Sequence, residues 1–147
     1  MATMNFSPRF QLVVVFSLVF LSIVSETSQG LLSKTHVKMT NNLGDVDLTV
    51  HCKSKNDDLG DHLLHLNESY EFSFRTNFWG TTHFYCSFKW APDQFQWFDI
   101  FDMEKPRADS CTECFWVVHI NGLCRMDPNN GLYNICFPWN QGTTPAF

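Results

Sequence analysis

The sequence lacks a surplus of positive charge. Ten lysine and arginine residues stand against fifteen aspartate and glutamate residues, which gives a net charge of −5 at pH 7. The longest basic cluster is the short stretch 53–55. Nucleic acids and other polyanions are bound by extended basic patches. The composition therefore argues against nucleic acid or an anionic membrane surface as a partner.

Long hydrophobic runs are also missing, with one exception near the N-terminus. Residues 12–24 are almost entirely apolar and follow Arg9. This run is shorter than the roughly 20 residues that cross a bilayer, and it has the length of a signal-peptide core. We predict a signal peptide over 1–30, cleaved after Gly30, and a secreted, extracellular domain over 31–147 that does not insert into membranes. The polar tail, 140–147, is expected to fray.

The sequence contains none of the short motifs that usually indicate an enzyme. It has no GxSxG elbow, no HExxH helix and no glycine-rich phosphate loop. Asp99 and Asp102 are the one carboxylate pair that could serve glycoside hydrolysis. Residues three apart on a strand point to opposite faces, so these two side chains should not converge. We predict a protein that is not an enzyme and has no catalytic residue.

Two groups of residues superficially resemble metal sites. Cys111 and Cys114 form a CxxC, but a zinc site of this type needs a second pair of ligands at similar spacing. The stretch 51–65 is rich in His and Asp, yet Lys55 and Leu59 would occupy ligand positions of a calcium loop. We therefore predict no metal ligand and no cofactor.

The six cysteines all follow the predicted signal peptide. An even number of cysteines in a small secreted domain indicates disulfides, and six cysteines allow fifteen pairings. The sequence does not choose between these pairings. Cys52, Cys86 and Cys114 lie on the apolar phase of their segments and should point into the core. We adopt as a working hypothesis the pairs Cys52–Cys136, Cys86–Cys114 and Cys111–Cys124.

Apolar and polar residues alternate with a period of two through most of the chain after residue 35. Such alternation is typical of strands that have one buried face. Turn-forming stretches such as NNLGD, INGL and DPNNG separate the alternating segments. We predict an all-β fold, a small antiparallel β-sandwich of about seven to nine strands stapled by disulfides. The sequon Asn-Glu-Ser places a predicted glycan on Asn67.

Several motifs resemble the plant self-incompatibility S-protein family. They are HCKSKNDDLGDHLL, YEFSFRTNFWGTTHFYCSFKW, FDIFDMEKPRADSCTECFWVVHINGLC and YNICFPW, spread over residues 36–139. The founding member, from poppy, is a stigma-secreted ligand that a receptor on incompatible pollen recognises. The resemblance implies a secreted, non-catalytic glycoprotein ligand that binds an unidentified cell-surface receptor in cell–cell signalling, with self-incompatibility as one setting. It leaves the oligomeric state open.

The HCKSKNDDLGDH stretch admits two interpretations. As a turn, Asp57 and Asp58 would accept bonds from backbone amides, Gly60 would take a positive φ angle, and Lys53 and Lys55 would offset the acidic charge. The alternative is a receptor contact shared by the family. We favour the turn.

Recognition is predicted to lie in two polar loops, although both could be ordinary solvated connections. Their candidate contact residues are Met103, Glu104, Lys105, Arg107, Asp109, Asp127, Asn129 and Asn130. The alternative function is a secreted carbohydrate-binding wall or defence module. Its sugar ligands would stack on Trp79 or Trp97, although rings in such an aromatic chain are expected to lie in the core.

Overall fold

The structure, a computed structural model, describes residues 9, 11–20, 34–105, 111–143 and 145. The chain divides into two units, residues 1–33 and 34–147. In the first unit, residues 11–20 are α-helical and exposed. Within the described residues, no helix is long and apolar enough to cross a membrane. The signal peptide over 1–30 remains a prediction, because most of that range lies outside the described residues.

The described part of the second unit contains nine β-strands, at the upper limit of the number predicted. They form a five-stranded sheet in the order β4-β1-β7-β8-β9 and a four-stranded sheet in the order β3-β2-β5-β6. The all-β prediction is therefore confirmed. The strands are β1 (Thr35–Asn41), β2 (Leu48–Ser54), β3 (Asp58–Leu64), β4 (Ser69–Phe74), β5 (His83–Trp90), β6 (Gln94–Asp102), β7 (Glu113–His119), β8 (Gly122–Met126) and β9 (Tyr133–Pro138).

One strand pair departs from the predicted antiparallel arrangement. β1 and β7 are parallel, with His36 opposite Glu113 and Asn41 opposite Val118. Parallel neighbours need a long crossover connection. Here the chain between β1 and β7 contains the whole four-stranded sheet together with β4, which supplies that connection. All other pairs in the two sheets are antiparallel.

The core consists of the apolar positions of both sheets. β1, β2 and β7 each bury alternate residues, as the period-two pattern predicts. Aromatic rings fill much of the space, and Phe98 meets Trp116 edge-on at 5.5 Å between ring centroids. Trp139, after the last strand, is buried against Phe88 at 5.1 Å. The core is therefore closed partly by the segment that follows β9.

The three disulfides exist, but all three predicted pairings are wrong. The bonds join Cys52 to Cys86, Cys111 to Cys114, and Cys124 to Cys136. The predicted pairs Cys52–Cys136, Cys86–Cys114 and Cys111–Cys124 assumed that buried cysteines meet across the core. Instead, two of the bonds each join direct cross-strand partners. One bond links β2 to β5 in the four-stranded sheet, and the other links β8 to β9 in the five-stranded sheet.

The two cross-strand disulfides differ in the length of chain that they close. The Cys52–Cys86 bond spans a separation of 34 residues, and chain-entropy arguments give it ~4 kcal/mol of stabilisation. The Cys124–Cys136 bond spans 12 residues and would contribute ~3 kcal/mol. The four-stranded sheet therefore receives the larger constraint.

One end of the sandwich, which we call the loop end, collects four connections. The register places Ser54 of β2 opposite Phe84, and the Phe84 ring lies 4.4 Å from that of Phe74, the last residue of β4. The β8–β9 connection is at the same end, because β8 runs antiparallel to β7 and β7 runs parallel to β1. The loop end comprises the turn 55–57, the loops 75–82 and 127–132, and the segment 103–105.

Candidate recognition surface at the loop end

The first element of this surface is the tight turn between β2 and β3. Ser54 Oγ accepts hydrogen bonds from the amides of Asn56 and Asp57 at 3.2 and 3.0 Å. The Ser54 hydroxyl donates in turn to Asp57 Oδ2 at 2.8 Å. The turn covers only 55–57, and Ser54 accepts the bonds from the amides of Asn56 and Asp57. Of the two aspartates predicted to accept amide bonds, Asp58 accepts one from the Gly60 amide at 3.1 Å. A serine whose hydroxyl bonds the amides two and three residues later forms an ST-turn, and the sequence analysis overlooked Ser54 in this role.

Gly60 lies inside β3 and forms a β-bulge. Lys53 is opposite Asp58 and His51 is opposite Asp61, so two residues of β3, at positions 59 and 60, face Cys52 alone. Gly60 has a φ of 74°, the positive value that the sequence predicts. Bulges twist a strand and re-aim its side chains. This one turns two carboxylates of β3 toward the same histidine.

His51 is held between those two carboxylates on the outer face of the four-stranded sheet. Its Nε2 lies 2.6 Å from Asp58 Oδ1, and its Nδ1 lies 2.9 Å from Asp61 Oδ1. Lys53 Nζ also contacts Asp58, at 3.1 Å. The hydrogen bond from His51, followed by those from the Gly60 amide and Lys53, lowers the pKa of Asp58 to about 2. The HCKSKNDDLGDH motif therefore builds an ionised, hydrogen-bonded hairpin.

A second bulge corrects the expectation that Asp99 and Asp102 point to opposite faces. Phe84 is opposite Phe101, but the next residue of β5, Tyr85, is opposite Asp99. Ile100 therefore has no partner in β5 and is an extra residue in β6. The extra residue shifts the alternation by one position. Both aspartates therefore lie on the outer face with His83, while Ile100 is buried.

The two aspartates form a compact network. His83 Nε2 lies 2.6 Å from Asp99 Oδ1, and Lys105 Nζ lies 2.7 Å from Asp99 Oδ2. Lys105 Nζ also lies 3.3 Å from Asp102 Oδ2. Asn140 Nδ2 donates to Asp99 Oδ2 at 2.9 Å. Asn140, the first residue of the tail predicted to fray, is thus hydrogen-bonded to β6.

This network strongly favours the ionised form of Asp99. Burial by itself would raise the pKa of Asp99, but hydrogen bonds from His83, Lys105 and Asn140 outweigh it and hold that pKa well below its usual range. The hydrogen bond to Asp99 likewise raises the pKa of Lys105. Lys105 was predicted to contact a partner. Its ammonium group is the counter-ion of Asp99 and Asp102, and its contact with a partner stays a prediction.

His83, Asp99 and Asp102 are also the described residues best placed to hold a metal ion. Their ligand atoms lie within 4.8 Å of one another. However, the Lys105 ammonium group already contacts both carboxylates and supplies the positive charge that a cation would bring. The arrangement is an ion-pair network complete in itself.

The 75–82 loop contains a hydrogen-bonded turn that presents two aromatic rings to solvent. The Asn77 amide donates to Thr82 Oγ1 at 2.8 Å, and Asn77 Nδ2 donates to Thr81 Oγ1 at 2.8 Å. Asn77 Oδ1 accepts a bond from the Thr81 amide at 2.9 Å. Phe78 and Trp79 are 85% and 81% exposed. The expectation that Trp79 belongs to the core is therefore wrong. Trp97, the other ring considered, is half-buried.

A polar groove separates the turn 55–57 from this aromatic turn. Its volume is about 560 Å³, within the ~300–1,000 Å³ typical of ligand pockets. Charged side chains of both signs line it, contributed by Lys55, Asp57, Arg75 and Glu104. Of these, Arg75 was not among the predicted site residues.

The other predicted recognition residues have different outcomes. Asp127 Oδ1 accepts bonds from the amide and the side chain of Asn129, at 2.9 and 3.0 Å. Asn130 Oδ1 accepts a bond from the Leu132 amide at 2.9 Å. These side chains hold their own loop in shape. Glu104 lines the groove and the preceding residue, Met103, is exposed, whereas Arg107 and Asp109 lie outside the described residues.

These features define a class: a small β-sandwich whose sheets are stapled by disulfides and whose loops gather at one end. Comparison with known proteins identifies the family. Residues 36–139 match the profile of the family described as plant self-incompatibility protein S1. S-protein homolog 5 of Arabidopsis thaliana is 44% identical over 105 residues, which cover 71% of this chain and 77% of that protein. S-protein homolog 3 of the same plant is 44% identical over 108 residues, covering 71% of each.

The fold agrees with a solved structure of SPH (self-incompatibility protein homologue) proteins, described as small, highly stable and secreted proteins from plants. The TM-score is 0.54 at 17% identity, and the match covers 74% of this chain and 96% of that one. At this identity the likeness shows the shared fold. Taken with the sequence matches, it leaves no ambiguity: the chain belongs to the plant self-incompatibility S1 family, and the resemblance found in the sequence is confirmed.

Proposed function

We propose that the protein is a secreted, non-catalytic ligand that a cell-surface receptor recognises through the loop end. The observation that carries the proposal is the convergence of four connections, at 55–57, 75–82, 103–105 and 127–132, at one end of a disulfide-stapled sandwich. Loops held on a rigid scaffold are a common place for recognition. Rejection of self pollen is one setting that the family name suggests.

The chemistry of the charged networks supports a non-catalytic role. Asp99 accepts hydrogen bonds from three side chains, and Asp58 accepts from His51, Lys53 and the Gly60 amide. A general base must instead have a lone pair that is available to a substrate proton. Carboxylates committed in this way stabilise the fold.

Secretion is supported by the disulfides and by a relative. Disulfides persist in oxidising compartments and are rare in the cytosol. The solved family structure is described as that of secreted proteins. Together with the predicted signal peptide, these observations support a mature chain that acts outside the cell.

The test is a binding experiment with protein secreted by plant cells that express the full chain. Labelled protein is added to intact cells from several tissues, pollen included, with a reduced and alkylated sample as the control for fold. We expect saturable binding to one cell type that disappears after mild protease treatment of the cells. Binding to all cell walls that resists protease would contradict a protein receptor.

Variants locate the contact surface in the same assay. Replacing 129–130 by two serines changes the loop end, and Ile120→Ser changes an exposed residue at the opposite end of the sandwich. The first change should weaken binding and the second should leave it unchanged. The reverse result would move the receptor contact away from the loop end.

A further inference from the structure

The loop end contains an aromatic turn with a polar groove beside it. Phe78 and Trp79 are adjacent in sequence and are more than 80% exposed. Their exposure is a property of a defined conformation, because hydrogen bonds between Asn77, Thr81 and Thr82 close the turn beneath them. Large aromatic rings presented in this way indicate a binding function.

The geometry of the two rings leaves a flat face open. Their centroids are 5.6 Å apart and their planes are inclined by 84°. In this edge-to-face arrangement Phe78 contacts Trp79 on one side only, and Trp79 remains 81% exposed. The face of an aromatic ring carries partial negative charge. Such a face attracts the polarised C–H groups that cover one side of a pyranose sugar.

The groove continues from the same turn, because Asn77, Thr81 and Thr82 also line it. Lys55 and Arg75 offer donors there, and Asp57 and Glu104 offer acceptors. Sugar hydroxyl groups both donate and accept hydrogen bonds, so they suit a lining that provides both kinds of group.

The balance of charge decides between classes of ligand. Two cationic and two anionic side chains line the groove, so a polyanion or a polycation would meet two like charges there. A neutral ligand rich in hydroxyl groups avoids that repulsion. We propose that the groove and the Phe78–Trp79 pair form a binding site for a neutral oligosaccharide, with one sugar ring stacked on Trp79 and the next entering the groove.

The test uses the secreted full chain and a panel of soluble neutral oligosaccharides, namely gluco-, xylo-, manno- and galacto-oligosaccharides, with oligogalacturonide as the anionic comparison. Binding is measured by calorimetry and by protein chemical shifts. The variants are Trp79→Ala and Arg75→Gln, with Ile120→Ala as the matched control because it truncates an exposed apolar residue at the other end. Thermal unfolding of each variant verifies that the fold is kept.

We expect at least one neutral oligosaccharide to bind and oligogalacturonide to bind more weakly. Trp79→Ala should weaken that binding by about tenfold or more, which corresponds to the ~1.4 kcal/mol of a tenfold change. Arg75→Gln should weaken it less, and Ile120→Ala should not change it.

Three results would overturn the proposal: no binding of any neutral oligosaccharide at millimolar concentration, equal binding by Trp79→Ala and the unchanged protein, or tighter binding of oligogalacturonide than of every neutral sugar. The receptor proposal is judged separately by protease treatment of the cells. If Trp79→Ala abolishes protease-sensitive cell binding while no oligosaccharide binds, the aromatic pair contacts a protein and the carbohydrate site does not exist.

Discussion

Asp99 accepts hydrogen bonds from side chains in three separate parts of the chain. His83 begins β5, Lys105 follows β6, and Asn140 follows β9. One largely buried carboxylate therefore ties the tail and the β6–β7 connection to the four-stranded sheet. The cost of burying its charge is offset only while all three donors remain in place.

Replacing Asp99 by Asn tests this network. The change leaves Lys105 with Asp102 alone, and we expect the free energy of unfolding at pH 7 to fall by about 1.5–3 kcal/mol, the range for hydrogen bonds to charged groups. The measurement is urea unfolding. Asp45→Asn, which changes an exposed aspartate, should have almost no effect.

The loss of stability caused by Asp99→Asn should depend on pH, and the direction of that dependence follows from the pKa of Asp99. Because folding lowers the pKa of Asp99 below the ordinary 3.8, the ionised carboxylate adds stability above that pH. The contribution is lost as the pH falls through the lower pKa of the folded state. The difference between the unchanged protein and Asp99→Asn should therefore shrink below pH 3.8. A difference that grows on acidification would contradict the network.

Asn41 joins elements of the two sheets from a fully buried position. Its Nδ2 donates to the Val46 and Leu64 carbonyls at 2.9 and 3.0 Å, and its Oδ1 accepts a bond from the Leu43 amide at 3.0 Å. Leucine has the same branched shape as asparagine but a larger volume, and Asn41→Leu would leave those backbone groups unpaired. Each buried unpaired group costs about 1–3 kcal/mol.

We therefore expect Asn41→Leu to lower the free energy of unfolding by about 3 kcal/mol or more. Urea unfolding measures the loss, and Asn42→Ala, at the exposed neighbouring position, is the control. A loss below 1 kcal/mol would mean that water replaces the missing partners, and the proposed role of Asn41 would then be rejected.

At the level of elements, two glycines in positive-φ positions serve different purposes. In the bulge of β3, Gly60 has a φ of 74° and open space around the position of a Cβ. At the start of β8, a Cβ on Gly122 would clash with the Phe137 carbonyl oxygen of the neighbouring strand. Gly60 therefore satisfies a backbone angle, whereas Gly122 provides room for the strand beside it.

Alanine at the two positions should separate these roles. Gly60→Ala is expected to cost about 1–2 kcal/mol, the strain of an L-residue with a left-handed backbone. Gly122→Ala should cost more, because β8 and β9 must also move apart. Gly60→Asn should recover part of the loss, since Asn tolerates positive φ. Thermal unfolding ranks the variants, and equal losses for both alanines would refute the steric role of Gly122.

At the level of the whole molecule, the predicted glycan and the loop end lie at opposite ends of the sandwich. Asn67 is exposed in the connection before β4, whereas the 75–82 loop follows that strand. A glycan on Asn67 would cover the far end and leave the groove accessible. Glycosylation would thereby restrict the partner to the loop end.

Asn67→Asp tests this arrangement. It removes the sequon and keeps a residue type that tolerates the φ of 64° found there. When both proteins are secreted by plant cells, the variant should be lighter than the unchanged protein by the mass of one N-glycan. Intact mass spectrometry before and after treatment with a glycosidase measures this difference. Cell binding should persist. Masses that differ only by the Asn-to-Asp exchange itself would show that Asn67 carries no glycan.

The strands, the presence of disulfides and the family could be predicted from sequence because each depends on local information. Alternation along β1 or β2 reports which face of one strand is buried, whatever its neighbour is. An even set of cysteines in a domain with a signal-like leader indicates disulfides without their pairing. The quoted motifs point to the family because they resemble motifs that its members share.

The candidate site depends on relations between strands. The extra residue at Ile100 becomes a bulge only when β6 is aligned with β5, so the meeting of Asp99 and Asp102 could not be read from their spacing. The exposure of Trp79 depended on the bonds within its turn. The sequence by itself determined where strands form and which residues they bury, since those follow from local alternation. Only the tertiary structure decided which strands are neighbours, and with them the disulfide pairs, the parallel β1–β7 pair and the groove, because neighbours are chosen by packing across the whole core.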